Sequence, residues 1–316
     1  MLNKICYTII KKIIGFIKYL NLDQTIFDKL IFYIGINQLT SSRQNYKKFK
    51  RLHDAELKGF SQNGEDGIID YLVHQLDILS PNFVEIGIGN YRESNTRFLY
   101  NRVHSKGLIV DCLDQLHMKV KPYVNLWKGD LRIHQKIVTS ENINEILSKY
   151  CDYEIDVFSL DIDGIDYWVI SKLKPNISKI FVAEYNPIFG PDLEITVPNI
   201  NDFDITNYHY SNLCYGLSLK ALIKLMEVKN YYFLGTNLQK NNAFFISNYL
   251  KKENFFPNIN LKKLSYYSDS NIRESRDTNY NLNYLKGDKK LKEIEECEVI
   301  NLADNKNKVI KIKDLV

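Results

Sequence analysis

Only four residues, 238–241, separate the apolar runs YYFLGTN (231–237) and NAFFIS (242–247). A parallel crossover needs a dozen or more residues, so these two runs predict an antiparallel hairpin. Upstream lie five more β-branched and aromatic runs: NFVEIGIG (82–89), GLIVDCL (107–113), RIHQKIV (132–138), DVFSLDI (156–162) and KIFVAEY (179–185). Helical segments separate them, the pattern of a parallel sheet. The segment ahead of the first run carries Ile68, Ile69, Leu72, Val73 and Leu76 on one helical face, and YGLSLKALIKLMEVK carries Leu217, Ala221, Leu222 and Leu225. The expectation is an α/β fold: a seven-stranded, mostly parallel sheet with an antiparallel last strand.

Around that core, residues 1–58 read as an N-terminal helical extension, 59–250 as the α/β domain, and 251–316 as a C-terminal extension. In the last, two β-branched runs flank a DNKN turn and predict a terminal hairpin. The 42 basic and 38 acidic residues leave a net charge of +4, which gives no reason to expect a nucleic-acid partner. Five scattered cysteines, without CxxC or Cys/His ligand spacing, read as reduced thiols in a cytoplasmic protein. Lysines at 4, 11, 12 and 18 interrupt the first apolar runs, so no bilayer span or secretion signal is read there. Ile5, Ile9, Ile13, Phe16 and Leu20 recur at helical spacing. Such an amphipathic helix packs on the domain or on a second subunit, or makes peripheral contact with the inner membrane.

Polar residues gather at the strand ends. FVEIGIGN closes the first strand on Glu85, Gly87 and Gly89, where glycines let the backbone approach a ligand. A third glycine of G-x-G-x-x-G would fall at Arg92, which disfavours a pyrophosphate turn. Asp111 ends the second strand and suits a ribose diol, with Asp114 as a nearby competitor. In SLDIDGIDYW, Asp161 and Asp163 alternate and so share one face, while Asp166 begins a helix. Two such carboxylates need a proton, a cation or a donor between them. With Glu184 and Asn186 of VAEYNP, they could hold Mg2+, act as a base, anchor a substrate hydroxyl or simply cap.

The succession SQNGEDGII, FVEIGIGNYRESNTRFL, GLIVDCL, IVTSENI, LDIDGIDYWVI, VAEYNPIFGP, YGLSLKAL and NNAFF resembles the FkbM-like S-adenosylmethionine-dependent methyltransferases over roughly residues 59–250. That resemblance implies a Rossmann-like methyltransferase sheet and O-methylation of a sugar hydroxyl in a bacterial surface polysaccharide or its precursor. It places Glu85, Gly87 and Gly89 at the methionine end of the cofactor, Asp111 at the ribose, Thr139 with nearby backbone at the adenine and Asp161 near the transferred methyl. Asn95 is also assigned to the cofactor. The sequence departs from the family's D-x-E-G, having Asp163 in place of the glutamate. Ser61 and Gln62 are expected to reach the methionine moiety, with Asn63 capping the next helix and Asp66 in its first turn.

Loop 186–214 is far longer than the usual 2 to 6 residues and reads as a lid over the acceptor. Tyr208, His209 and Tyr210 would meet the sugar, and Phe189 and Pro191 would shape the wall. His209 is a candidate general base, or a solvated loop histidine. Catalytic candidates are therefore Asp161, Asp163, Glu184 and His209; metal candidates are Asp161, Asp163 and Glu184. The competing readings are a nicotinamide-dependent oxidoreductase and a non-catalytic binding protein that keeps the fold.

Overall fold

A computed structural model describes residues 24–251, 274–303 and 307–316. The expected amphipathic helix in residues 1–20, and most of the DNKN turn, lie outside these residues. In chain order the helices are α1 (Gln24–Arg43), α2 (Glu65–Gln75), α3 (Arg97–Val103), α4 (Leu116–Val120), α5 (Ile143–Tyr150), α6 (Asp166–Lys172), α7 (Ile205–Tyr208), α8 (Leu219–Val228) and α9 (Asp288–Glu293). The strands are β1 (Phe83–Ile86), β2 (Gly107–Asp111), β3 (Leu131–Gln135), β4 (Ile155–Leu160), β5 (Ser178–Glu184), β6 (Ile195–Thr196), β7 (Tyr231–Thr236), β8 (Asn242–Ser247), β9 (Glu298–Asn301) and β10 (Lys308–Lys311).

Seven of these strands form one sheet in the order β3-β2-β1-β4-β5-β8-β7. The first five pair in parallel, and β8 runs antiparallel to both β5 and β7. The short 238–241 connection thus makes the hairpin its length requires, and the reversed strand slots between β5 and β7. Because helices cover both faces, alternate residues of each strand are buried on opposite sides. Ile180 and Val182 join Ile68, Ile69 and Leu72 of α2, whereas Phe181 and Ala183 join Val169 of α6 and Leu222 of α8.

β1, β2, β3 and β4 each end two or three residues short of the sequence expectation, and the ends of β1 and β4 shape the cavity. β1 stops at Ile86 because Gly87 takes φ +83. β4 stops at Leu160, so Asp161 and Asp163 sit beyond the strand rather than alternating along it. Asp161 N still donates to Ile86 O at 3.0 Å, but Ile162 N and Gly164 N then donate to the Asp166 carboxylate, which turns the chain into α6. Asp163 adopts φ 53 within that turn, a left-handed conformation that aspartate tolerates better than most residues.

A second sheet, β10-β9-β6, joins the C-terminal residues to the long loop after β5. Ile195 and Thr196 pair antiparallel with Asn301 and Ile300. Ile195, Val197, Leu213, Cys214, Val299 and Ile312 form its separate apolar cluster. At the other end of the chain, α1 docks through Phe32, Ile36 and Leu39 on Leu57, Phe60 and Phe98. No helix among the described residues is long and apolar enough to cross a membrane.

Candidate active site

The exits of β1, β2 and β4 open on a cavity of about 640 Å³. That size lies inside the roughly 300–1,000 Å³ range of small-molecule sites. Gly87 determines how closely its walls approach. A Cβ there would stand 1.5 Å from the Asp161 carbonyl oxygen, so only glycine lets the β1 exit pass against the β4 exit.

Glu85, the third residue of β1, organises the loop that follows. Its carboxylate accepts from Ser94 Oγ (2.6 Å), Asn95 N (2.8 Å) and Thr96 N (2.9 Å), and also from Thr96 Oγ1. Burial raises its pKa, and these hydrogen bonds oppose the shift. Asn95 in turn donates to Ser159 Oγ at 3.1 Å, tying the loop to β4. Across the cavity mouth, Asp111 accepts from Gly89 N (2.7 Å) and Leu113 N (2.8 Å), which fixes the β1 exit against the end of β2.

Beyond the glycines, carboxylate oxygens of Asp161, Asp163 and Glu184 all lie within 4.8 Å of one another. The buried Glu65 of α2 borders the same cavity and accepts from Asn242 Nδ2 (2.9 Å) and Asn237 Nδ2 (2.8 Å). Among the described residues, Glu65, Glu85, Glu93, Asp111, Asp161 and Asp163 line the cavity together with two cations, Arg92 and Lys136. The lining is strongly acidic.

Of the sequence-derived candidates, Gln62, Glu85, Gly87, Gly89, Asn95, Asp111, Asp161 and Asp163 line this cavity. Glu184 is not part of the lining, although it joins the two aspartates in the carboxylate cluster. Ser61, Thr139 and His209 are not in the lining either. Ser61 is buried, its Oγ accepting from Asp66 N while its own N–H donates to Asp66 Oδ2. The expected Asn63 cap is corrected by the geometry: Gly64 in the left-handed region precedes the helix, without a side-chain cap. Thr139 accepts from Glu141 N in its own turn, whereas the neighbouring Lys136, Ile137 and Val138 reach the cavity.

His209 bonds Ser211 Oγ through Nδ1 at 2.7 Å and lies beside Cys297. Tyr208 donates to the Glu298 carbonyl and Tyr210 to Glu293 Oε1, so all three face the C-terminal residues rather than the cavity. Phe189 is buried in the apolar cluster of the small sheet. Asn186 is committed to the loop, accepting from Ile188 N and donating to Leu213 O and Tyr215 O. The loop's contribution to the cavity comes instead from Asn201 and Phe203. Phe203 covers Gly164, where an added Cβ would come within 2.7 Å of its ring.

Sequence reasoning passed over Glu65, Asn201, Phe203 and Asn242 as lining residues. Glu65 and Asn242 are 177 residues apart, and no local spacing signals their contact.

No family model matches the chain. No curated protein matches it. Among solved structures, it is similar to an S-adenosylmethionine-dependent methyltransferase from Clostridium acetobutylicum ATCC 824 at 10% identity and TM-score 0.38, over 58% of this chain and 90% of that one. It is also similar to an O-methyltransferase family protein from Burkholderia thailandensis at 10% identity and TM-score 0.35, over 58% and 57%. A third is an S-adenosylmethionine-dependent methyltransferase from Anabaena variabilis ATCC 29413, at 12% identity and TM-score 0.35 over 66% and 94%. These likenesses are loose.

Proposed function

We propose that this chain is an S-adenosylmethionine-dependent methyltransferase that methylates a hydroxyl group, the acceptor being a sugar of a bacterial surface polysaccharide or its precursor. The observation that carries the reading is the charge of the lining, six carboxylates against two cations around a glycine-ended β1. A sulfonium cation is favoured in such a field, whereas the pyrophosphate of a nicotinamide dinucleotide is repelled. Pyrophosphate also wants a helix N-terminus directly behind the glycines. Here residues 87–96 separate the end of β1 from the start of α3 at Arg97. The close Gly87–Asp161 approach fits a cofactor chain laid across the two strand exits, and Asp111 offers a ribose-binding carboxylate.

S-adenosylmethionine, when bound, supplies an electrophilic methyl group. The chain's part is to align an acceptor hydroxyl with it and to take the hydroxyl proton. Asp161, Asp163 and Glu184 are the groups assigned to that proton; with His209 bonded on the C-terminal side, the carboxylate cluster is the better placed base. Calorimetric titration with S-adenosylhomocysteine and with NAD tests the reading. Binding of the first is expected, and Asp111→Ala should weaken it about 10- to 150-fold by removing a charge-assisted contact. Binding of NAD alone would replace the proposal with the oxidoreductase; binding of neither would leave a scaffold.

A second reading is favoured by the 4.8 Å grouping of the three carboxylates, which suits an oxygen-liganded Mg2+. If the ion takes part, EDTA should abolish methyl transfer and added Mg2+ restore it. Full activity in chelator leaves the carboxylates as base and hydroxyl anchors.

A further inference from the structure

The outward face of α1 has no partner among the described residues over its first three turns. Ile26, Phe27, Leu30, Ile31, Tyr33 and Ile34 are 39–63% exposed there, a concentration of large apolar side chains unusual for a solvated helix. The opposite face is the one that docks, through Phe32, Ile36 and Leu39. Charge is nearly absent from the helix: Asp28 and Lys29 are its only charged residues before Arg43. Asp28 points inward and pairs with Arg97. By contrast the flanks are basic. Residues 1–23 hold Lys4, Lys11, Lys12 and Lys18 against one acidic residue, Asp23, and Lys47, Lys48 and Lys50 are exposed just beyond the helix.

We infer that this face docks on an anionic lipid bilayer, with the apolar residues of α1 entering the headgroup–acyl boundary and the flanking lysines pairing with lipid phosphates. An apolar face with basic flanks is the composition of interfacial helices, and an exposed tyrosine suits the interface itself. A second copy of the chain fits less well, because it would bring two sets of these lysines together without counter-charge.

The attachment bears on the site. Arg97, held by Asp28, also donates to the Arg92 carbonyl at 2.8 Å, and Arg92 lines the cavity. Docking would therefore tie the cavity wall, through Arg97, to the membrane-bound helix. An acceptor carried on a lipid would arrive there without leaving the membrane. That consequence rests on the proposed methyl transfer; the docking itself does not.

The test is cosedimentation of the full chain with vesicles of phosphatidylethanolamine and phosphatidylglycerol, and with vesicles of phosphatidylcholine alone. Binding to the first, weakened by salt, is expected, and Phe27→Ser/Leu30→Ser/Ile34→Ser should lower it at least about 100-fold. Circular dichroism and thermal melting of the same variant report whether its fold is intact, independently of the membrane and of the proposed cofactor. Absence of vesicle binding by the full chain overturns the inference, as does binding that the triple variant retains. Dimerisation in sedimentation velocity that the variant abolishes, without lipid binding, would assign the face to a second copy instead. Vesicle binding that appears only after deletion of residues 1–23 would show that segment to be the occupant, and also overturns it.

Discussion

Glu85 shows how one side chain can shape a loop. Its carboxylate is buried and accepts from Ser94, Asn95 and Thr96, so the loop closing the cavity is moulded around one acceptor. In Glu85→Gln an amide NH2 would face these donors. The expected cost is about 1–3 kcal/mol in chemical denaturation, with weaker S-adenosylhomocysteine binding as Asn95 loosens. Asp66 gives a pH signature. Gly59, Phe60 and Ser61 donate their backbone N–H groups to it, yet burial pushes its pKa up to about 7 from 3.8, and Asp166 is likewise raised to about 6. Below about pH 4 the folded and unfolded chains both hold these protons. Between about 4 and 7 the unfolded chain releases them more readily, so stability falls as pH rises. Asp66→Asn should remove the share of that slope due to Asp66 in denaturation measured from pH 4 to 8, leaving the shares due to Asp166, Glu56 and Glu85, whose pKa values burial also raises; a slope unchanged by the substitution would rule Asp66 out as a source.

At the scale of elements, the small sheet is what holds the loop after β5. Val299 of β9 is fully buried against Ile195, Leu213 and Ile312. Val299→Asp should release β6 from β9, so that the Thr196 amide loses protection while those of β1, β4 and β5 keep theirs, and Ile195, whose N–H donates to Ser218 Oγ, is affected less; loss of protection throughout would show the two sheets to be one cooperative unit. The seven strands of the main sheet were legible because each is a β-branched or aromatic run bounded by helix or turn signals. Their ends were less so: Gly87 and the Asp166 turn cut β1 and β4 short through backbone geometry that periodicity does not encode. β6 was not legible at all. Two residues of LEITVP become a strand because β9, far along the chain, offers them partners on one side and Leu217 bridges Thr196 on the other. The glycines and strand-end carboxylates of the candidate site could be read locally, while Phe203 and Asn242 reached the cavity through long-range packing.

Across the whole molecule, the parallel sheet supplies the cavity's floor and the extensions supply what surrounds it. α1 reaches the wall through Asp28 and Arg97, and the C-terminal strands hold the loop that carries Asn201 and Phe203. Tyr208 and its partner Glu298 are 90 residues apart, with all of β7 and β8 between them. A chain emerging from the ribosome can complete the seven-stranded sheet, and the glycine cradle at its edge, well before β9 exists to pin the loop. Synthesis thus imposes an order: the floor of the cavity is finished first, and its Phe203 wall is secured only when the C-terminal strands arrive.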